Sequence, residues 1–267
     1  MPSEPMHGGT EVYIVGLGLR IPEHVTGEAR EALSQCSRIY AIVQERPDLW
    51  LNSSDPNRTE VINLLSLYTE NAVRKDNYDR ATETILSAAK DSGPIGYVTY
   101  GNPMAYDSVA QSLVLRGKEL GLRIKVLPGI SSIDTLLCDL GLDLAPGIQI
   151  CEASWMVAAG IIPQPSYALL LVQIGMFGSL RTHYQTLPNP KSLDSLSAYL
   201  IRFYPRTHSV FLVRSAGGRE SVARIREVQL GKISEVEVEC ILNASLFVPA
   251  VQEATIDEGM LKRMLSM

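Results

Sequence analysis

Short apolar runs alternate with segments of helical periodicity along the first half of this 267-residue chain. Each run has the length and the content of branched and aromatic residues typical of a buried strand. Strands alternating with helices favour a parallel sheet covered on both faces. We therefore predict an N-terminal α/β domain over residues 11–145. Its strands are predicted at 12–15, 39–43, 61–64, 95–100 and 122–127, and its helices at 27–37, 76–90, 105–120 and 131–140.

The pattern changes after Pro146 and Gly147, a pair typical of a linker. Beyond them strands outnumber helices, which predicts a second, mixed α/β domain over residues 146–267. A cleft between two domains is a favoured place for a small ligand. Residues 1–10 are polar and are predicted to form a disordered tail. In the second domain, strands are predicted at 148–152, 167–174, 209–213, 223–227 and 245–248, and helices at 192–203 and 257–265.

Charge and composition exclude several classes of partner. A formal charge of -5 gives no electrostatic reason to expect nucleic acid. The four cysteines lie far apart and no histidine stands at zinc-ligand spacing, so no metal site is predicted. Neither export nor a membrane span is expected, and the protein is predicted to be cytoplasmic. The four histidines share no catalytic spacing and are expected at surface or linker positions.

Two turns rich in glycine and proline directly follow predicted strands. They are Tyr100-Gly101-Asn102-Pro103 and Pro128-Gly129-Ile130-Ser131-Ser132. Open α/β sheets bind ligands at the carboxyl ends of their strands, so main-chain recognition of a polar cofactor is one interpretation. The other is a pair of connecting turns, with Ser131 or Ser132 capping a helix and Asp134 in its first turn. The residues leave both open.

Tyr68, Arg74 and Tyr78 lie where a loop passes into a helix. Arg74 and Tyr78 are four residues apart, so they share one face if the helix begins early enough. A guanidinium beside a phenol can lower the phenol pKa and stabilise a developing oxyanion. The alternative is an ordinary solvated arginine with a half-buried tyrosine.

The segment 44–59 is long, irregular and contains Trp50 and Leu51. Loops of this length without regular structure are uncommon in compact domains and are usually functional. We expect a lid or a docking surface, because an exposed apolar insertion needs a partner.

The motifs, taken in order, resemble those of the tetrapyrrole methylase superfamily of S-adenosylmethionine-dependent methyltransferases. The resemblance covers about residues 11–250 and implies a two-domain αβα fold with the cofactor in the interdomain cleft. The matching segments are Tyr13 to Gly18 with Thr26, Tyr100 to Pro103, Pro128 to Ser132 with Asp139 to Gly141, Leu171 to Gly175, and Ser245 to Pro249. The cofactor-binding residues it implies are Tyr100, Gly101, Pro103, Ala105, Tyr106, Ser131, Ser132, Gln173, Ala244, Ser245 and Leu246.

Within that superfamily the chain is most similar to borosin peptide α-N-methyltransferases, which methylate backbone amides of a ribosomal precursor peptide. The residues that carry the similarity are Leu67-Tyr68, Arg74, Asn77-Tyr78, Tyr100-Gly101 and Cys151 to Ser154. It implies Tyr78 as the base, Arg74 as its activator and carbonyl-oxygen stabiliser, Tyr68 as a hydrogen-bond partner or alternative base, and Tyr100 as the residue that orients the reacting groups. It also implies a homodimer. Because the sequence stops at Met267, we expect the precursor peptide in trans, as in split borosins.

Two departures from the family pattern keep alternatives open. Leu19-Arg20-Ile21 replaces the usual Pro-Gly-Asp of the first loop, and Asn102 stands where borosins commonly have histidine. Corrin methylation becomes less favoured, while the first loop has some similarity to diphthine synthases. A catalytically inactive peptide-binding module is the alternative that is not an enzyme.

Overall fold

The structure is a computed structural model that describes residues 11–51, 59–91, 93–182, 187–217, 222–252 and 256–266. The chain separates into two compact units. The first unit consists of Met1–Leu140, Ser179–Thr186 and Ser215–Ala223, and the second of Gly141–Gly178, Leu187–Arg214 and Arg224–Met267. Two segments from the second half of the chain therefore pack with the first unit. The predicted tail at residues 1–10 lies outside the described residues.

A five-stranded parallel sheet forms the centre of the first unit. Its order is β3-β2-β4-β1-β5, and all neighbouring strands run parallel. The central strand β4 and its neighbour β1 are buried along their whole length, as expected for strands covered on both faces. The predicted parallel sheet is confirmed. The strands are β1 (Val12–Gly16), β2 (Arg38–Ala41), β3 (Glu60–Asn63), β4 (Ile95–Thr99) and β5 (Ile124–Leu127).

Four helices accompany this sheet, and its two faces belong to separate cores. Alternate residues of β1 divide between them: Ile14 packs in one core with Ile85 of α2, and Val15 in the other with Leu33 of α1. Burial of these apolar side chains, worth roughly 1.5–3 kcal/mol for each large one, is what holds the layers together. The helices are α1 (Gly27–Ser34), α2 (Arg74–Asp91), α3 (Ser108–Glu119) and α4 (Ser132–Leu140).

The second unit contains a five-stranded mixed sheet of order β6-β7-β10-β8-β9. Strands β6 and β7 are parallel, whereas the other neighbours are antiparallel, so the predicted mixed sheet is confirmed. Its elements are β6 (Ile148–Glu152), α5 (Ala153–Ala158), β7 (Ala168–Val172), α6 (Leu193–Leu200), β8 (Ser209–Arg214), β9 (Arg224–Gln229), β10 (Ser245–Val248) and α7 (Glu258–Leu265). Within the described parts of the chain, no helix has the length and apolar character that a membrane span requires.

Helix α5 was not predicted from the sequence. Its residues are mostly apolar and show no polar face, so helical periodicity is not visible in them. The helix begins because the Glu152 carboxylate accepts a hydrogen bond from the backbone N–H of Trp155 at 2.6 Å.

The expectation of an exposed apolar insertion around Trp50 is wrong. Trp50 is fully buried and Leu51 nearly so, both in the core that α1 covers. The indole N–H of Trp50 donates to the carbonyl of Glu45 at 3.1 Å, which anchors the segment from within. Residues 52–58 of the same loop lie outside the described residues. Trp50 and Leu51 therefore do not provide an apolar surface on which a partner could dock.

His24 also differs from its expected surface or linker position, because only 8% of it is exposed. Its Nδ1 accepts hydrogen bonds from the backbone N–H groups of Leu19 and Arg20 at 3.2 and 3.3 Å. Burial lowers the pKa of His24, and the positive charge of Arg20 lowers it further. The imidazole thus organises the first loop, in place of the usual Pro-Gly-Asp.

Candidate functional site

Three glycine turns meet at the carboxyl ends of β1, β4 and β5. A methyl group added to Gly129 would lie 2.3 Å from the carbonyl oxygen of Gly101 and 2.6 Å from that of Gly16, so only glycine fits. Gly18 and Gly101 form an isolated bridge, in which the N–H of Gly101 donates to Gly18 at 3.0 Å. The structure thus brings together the two loops singled out in the sequence, along with the Gly16–Gly18 turn at the end of β1.

The loop after β4 presents aromatic side chains to solvent. Tyr100 is 38% exposed and Tyr106 is 37% exposed, and Tyr106 has a left-handed backbone with φ of 65°. Met104 and, from the next loop, Ile130 are also exposed. The remaining predicted residues of this loop, Gly101, Pro103 and Ala105, lie between these two tyrosines in the chain.

Tyr100 is held through its hydroxyl group. That hydroxyl donates to the carboxylate of Glu45 at 2.6 Å and accepts from the backbone N–H of Gln44 at 2.9 Å. Partial burial, followed by the hydrogen bond to Glu45, raises the pKa of Tyr100 to about 12. Glu45 was missed in the sequence, although it follows β2, the neighbour of β4, and so lies at the same edge of the sheet.

Ser131 has the capping role that was one of its two interpretations. Its hydroxyl and its backbone N–H both donate to the carboxylate of Asp134, each at 2.7 Å, and the N–H of Asp134 donates back at 3.3 Å. The hydroxyl is therefore engaged within its own loop. Ser132 is the first residue of α4 and is half-buried.

Tyr68, Arg74 and Tyr78 are brought together in the first unit. Helix α2 begins at Arg74, two residues earlier than predicted, so Arg74 and Tyr78 do share one face. The rings of Tyr68 and Tyr78 are 6.1 Å apart between centroids and tilted by 58°. Both rings pack partly buried against the core between α2 and the sheet.

A strap formed by residues 179–182 fixes the start of α2. Leu180 accepts a hydrogen bond from the backbone N–H of Arg74 at 2.8 Å, and Ser179 accepts one from the Arg74 guanidinium. The hydroxyl oxygen of Thr182 accepts a hydrogen bond from the side-chain amide N–H of Asn77 at 2.8 Å. The orientation of Arg74 thus depends on chain more than a hundred residues away.

The expected lowering of the Tyr78 pKa is wrong in its net sign. The charge of Arg74 and its hydrogen bond do lower the pKa of Tyr78, but burial is the largest influence and raises it. The negative charge of Asp107 raises it further. The pKa of Tyr68 is also raised by burial. Both phenols are therefore neutral at rest.

Tyr97 and Asp107 were not singled out in the sequence. Tyr97 is fully buried in the same core, and its hydroxyl donates to Asp107 at 2.8 Å. Burial is the main reason that the pKa of Tyr97 lies well above its usual value. The available signal was Asp107 itself, which stands just before a helical segment in an N-cap position.

The four candidate residues of the second unit cluster around the end of β7. Gln173 follows β7 in a left-handed backbone conformation with φ of 60°. Leu246 pairs with Leu171 in the antiparallel β10, so the register continues toward Gln173 through Ser245 and Ala244. Ala244, Ser245 and Leu246 are buried.

The chemistry of the exposed loops fits the cofactor that the resemblance implies. S-adenosylmethionine has an adenine ring and a ribose, which need apolar contact surface and main-chain hydrogen bonds. The exposed faces of Tyr100, Met104, Tyr106 and Ile130 offer the first, and the irregular loops the second. The four cysteines are free, and in the described ranges no three His, Cys, Asp or Glu side chains form a metal-binding group.

Comparison with known proteins gives a family and a fold. The family model described as Tetrapyrrole (Corrin/Porphyrin) Methylases matches residues 11–233. Among solved structures, the uroporphyrin-III-C-methyltransferase of Thermus thermophilus is similar with a TM-score of 0.60 and 18% sequence identity, over 90% of this chain and 94% of the other. At that identity the likeness establishes the fold.

Curated relatives are methyltransferases fused to borosin cyclic peptide precursors. A type III borosin protein of Anomoporia bombycina is 25% identical over 202 residues, which cover 75% of this chain and 23% of the relative. A type I borosin protein of Cerrena unicolor is 22% identical over 253 residues, covering 93% of this chain and 61% of the relative. The chain thus spans less than two thirds of the length of either relative.

Proposed function

The chain belongs to the family of tetrapyrrole (corrin/porphyrin) methylases, and from that membership we propose that it transfers a methyl group from S-adenosylmethionine. We further propose that the acceptor is a backbone amide nitrogen of a ribosomal precursor peptide. The borosin relatives support a peptide acceptor. The observation that carries the proposal is the convergence of Tyr68, Arg74 and Tyr78 in one cluster.

Amide nitrogen is a poor nucleophile because its lone pair is delocalised into the carbonyl group. Donors aimed at the carbonyl oxygen favour the imidate-like form, in which the nitrogen becomes nucleophilic. Arg74 supplies a fixed positive charge, and neutral Tyr78 supplies an O–H donor beside it. We therefore assign Tyr78 to the carbonyl oxygen together with Arg74, in place of the base role expected from the sequence. Tyr68 packs against Tyr78 and positions it.

The cofactor is proposed to bind the loops of the first unit through Tyr100, Tyr106 and the main chain around Ser131 and Ser132. The family resemblance implies Gln173 and residues 244–246 as further contacts of the cofactor. Calorimetry with the demethylated product, S-adenosylhomocysteine, tests this directly, since binding needs no peptide. Absence of measurable heat would contradict it.

The peptide is proposed to be a separate polypeptide, as in the split borosins. The test is co-expression of the chain with the peptide from a neighbouring short open reading frame, followed by fragmentation mass spectrometry. We expect added methyl groups on backbone nitrogens. A peptide with proline at the modified position serves as control, because proline has no amide N–H to replace. Methyl groups on side chains alone would contradict the proposal.

A homodimer in the cytoplasm completes the proposal. Its support is the borosin resemblance for the dimer and four free cysteines for a reducing compartment. Buried Trp50 and Leu51 give the dimer no further support. Light scattering at micromolar concentration measures the mass, and a monomeric mass with full activity would contradict the dimer.

A further inference from the structure

Methylation of an amide nitrogen requires the loss of its proton, and the proposed function leaves open where that proton goes. The pKa of Tyr78 is raised, so the phenol stays neutral and the phenolate that could take the amide proton is scarce. Tyr97 is fully buried and already donates to Asp107. Tyr78 and Tyr97 are therefore hydrogen-bond donors and do not provide an acceptor for the amide proton.

A different phenol has a carboxylate directly behind it. The Tyr100 hydroxyl donates to Glu45 at 2.6 Å, a short distance typical of a charge-assisted hydrogen bond. Tyr100 is 38% exposed and Glu45 is half-buried, so both partners can be reached from solvent.

Two further hydrogen bonds hold the pair in place. Gln44 donates its backbone N–H to the same phenol oxygen at 2.9 Å, and Trp50 donates its indole N–H to the carbonyl of Glu45 at 3.1 Å. The nearby cation, Arg46, forms an ion pair with Asp48, which is exposed and lies on the same loop. The hydroxyl of Tyr100 thus has one remaining lone pair and a fixed acceptor for its proton.

We propose that Tyr100 relays the amide proton to Glu45. This inference rests on the proposed function. As the new nitrogen–carbon bond forms and the sulfur–carbon bond breaks, the amide N–H bond breaks toward the Tyr100 oxygen. The Tyr100 O–H bond breaks in the same step, and its proton joins the Glu45 carboxylate. Solvent then takes the proton from Glu45.

The charges of this step balance. Before transfer there is one sulfonium cation and one carboxylate anion, and afterwards both groups are neutral. Tyr100 never becomes a free phenolate, which is consistent with its raised pKa. Glu45 acts through Tyr100 and does not touch the amide, so its part is that of a positioning and accepting partner.

The test compares Glu45→Gln with Asp48→Asn in the full chain. Glutamine keeps a hydrogen-bond acceptor for Tyr100 but removes the basic carboxylate, whereas Asp48 is a carboxylate of the same loop that pairs with Arg46. We expect Glu45→Gln to slow single-turnover methyl transfer by roughly 10²-fold, the usual worth of a general base. Asp48→Asn should remain within about twofold. The double variant Glu45→Gln/Tyr100→Phe should be no slower than Tyr100→Phe alone, because the two residues act in one path.

A second readout needs no methyl transfer. Absorbance titration of the free protein reports phenolate formation. In Glu45→Gln one tyrosine should ionise at lower pH than in the wild type, because the Glu45 carboxylate is one of the groups that raise the pKa of Tyr100. That shift should be absent in Glu45→Gln/Tyr100→Phe and in Asp48→Asn.

The outcomes separate the two proposals. A wild-type chain that binds cofactor but methylates no amide overturns the proposed function. An active wild type in which Glu45→Gln turns over as fast as Asp48→Asn overturns the relay alone. A Glu45→Gln variant whose rate loss is matched by an equal loss in affinity for S-adenosylhomocysteine also overturns the relay, since Glu45 would then serve cofactor binding.

Discussion

Tyr97 donates its buried hydroxyl to Asp107 over 2.8 Å, and the other carboxylate oxygen of Asp107 accepts the backbone N–H of Ala110 at 2.9 Å. One side chain therefore satisfies a core phenol and caps α3. Removal of the Asp107 carboxylate would leave both the Tyr97 hydroxyl and the Ala110 N–H without their acceptor. Asp107 therefore has more influence on stability than an ordinary helix cap.

Asp107→Ala is expected to lower the free energy of unfolding by about 2–4 kcal/mol, from the lost cap and the orphaned phenol together. Asp107→Asn keeps one acceptor oxygen for the backbone N–H of Ala110 and places an amide N–H donor beside the Tyr97 hydroxyl, which can accept it, so this variant should lose less. Asp257→Ala is the control, because Asp257 caps the exposed α7 through Met260 and touches no buried hydroxyl. Denaturant unfolding measures all three. Equal losses for Asp107→Ala and Asp257→Ala would show that the Tyr97 contact contributes nothing.

Arg74→Ala and Tyr78→Phe should each slow methyl transfer by roughly 10²-fold or more, the usual effect of removing a donor to a developing oxyanion. Affinity for S-adenosylhomocysteine should hardly change. Lys75 is the control, because it is exposed and pairs with Asp79 on the outer side of α2. Near-normal turnover in Tyr78→Phe beside a crippled Lys75→Ala would place the reaction elsewhere.

Gly16→Ala and Gly129→Ala should each destabilise the first unit by at least about 2 kcal/mol, because the new methyl group overlaps main-chain atoms that cannot move aside. The nearest approach in each case is 2.3 Å, to the carbonyl oxygen of Gly101. Gly27→Ala has nothing within 4 Å and begins α1, so it should be neutral or slightly stabilising. Melting temperatures of the three variants test this. A stable Gly129→Ala protein would mean that the three turns are not packed as described.

His24 should make stability depend on pH. Its pKa in the folded protein is lowered from 6.5, so the unfolded chain protonates first as pH falls below that value. The contribution of His24 to the free energy of unfolding is therefore fully present above pH 6.5 and is lost as the pH falls toward the pKa of the folded state. His24→Gln retains an acceptor for Leu19 and Arg20 without titrating, and its unfolding should be less sensitive to pH between about 7 and 5. Identical slopes for both proteins would remove His24 as the cause.

Much of the fold could be predicted because the strands of both units are short apolar runs between turns. The meeting of the loops that begin at Tyr100 and Pro128 could also be predicted, because parallel strands of one sheet end at a common edge. Helix α5 was not predicted because a segment of mostly apolar residues shows no helical periodicity.

The contacts between distant side chains could not be predicted. Glu45 and Tyr100 meet only because β2 lies beside β4 in the sheet, and local periodicity carries no information about strand order. The net pKa of Tyr78 could not be predicted either. The four-residue spacing from Arg74 was visible in the sequence, but the burial that outweighs it depends on how the surrounding core packs.

Because residues 179–182 supply the hydrogen-bond partners of Arg74, the position of this arginine is fixed only late in synthesis of the chain. During synthesis the five parallel strands have all emerged by Leu127, yet the carbonyls that hold Arg74 are added more than 50 residues later. A nascent first unit can therefore assemble its sheet and its three glycine turns while the start of α2 still lacks its partners. Under the proposed function, the loops assigned to the cofactor would form before the cluster assigned to the amide, so a partly synthesised chain would lack the fixed Arg74 that the proposed methyl transfer uses.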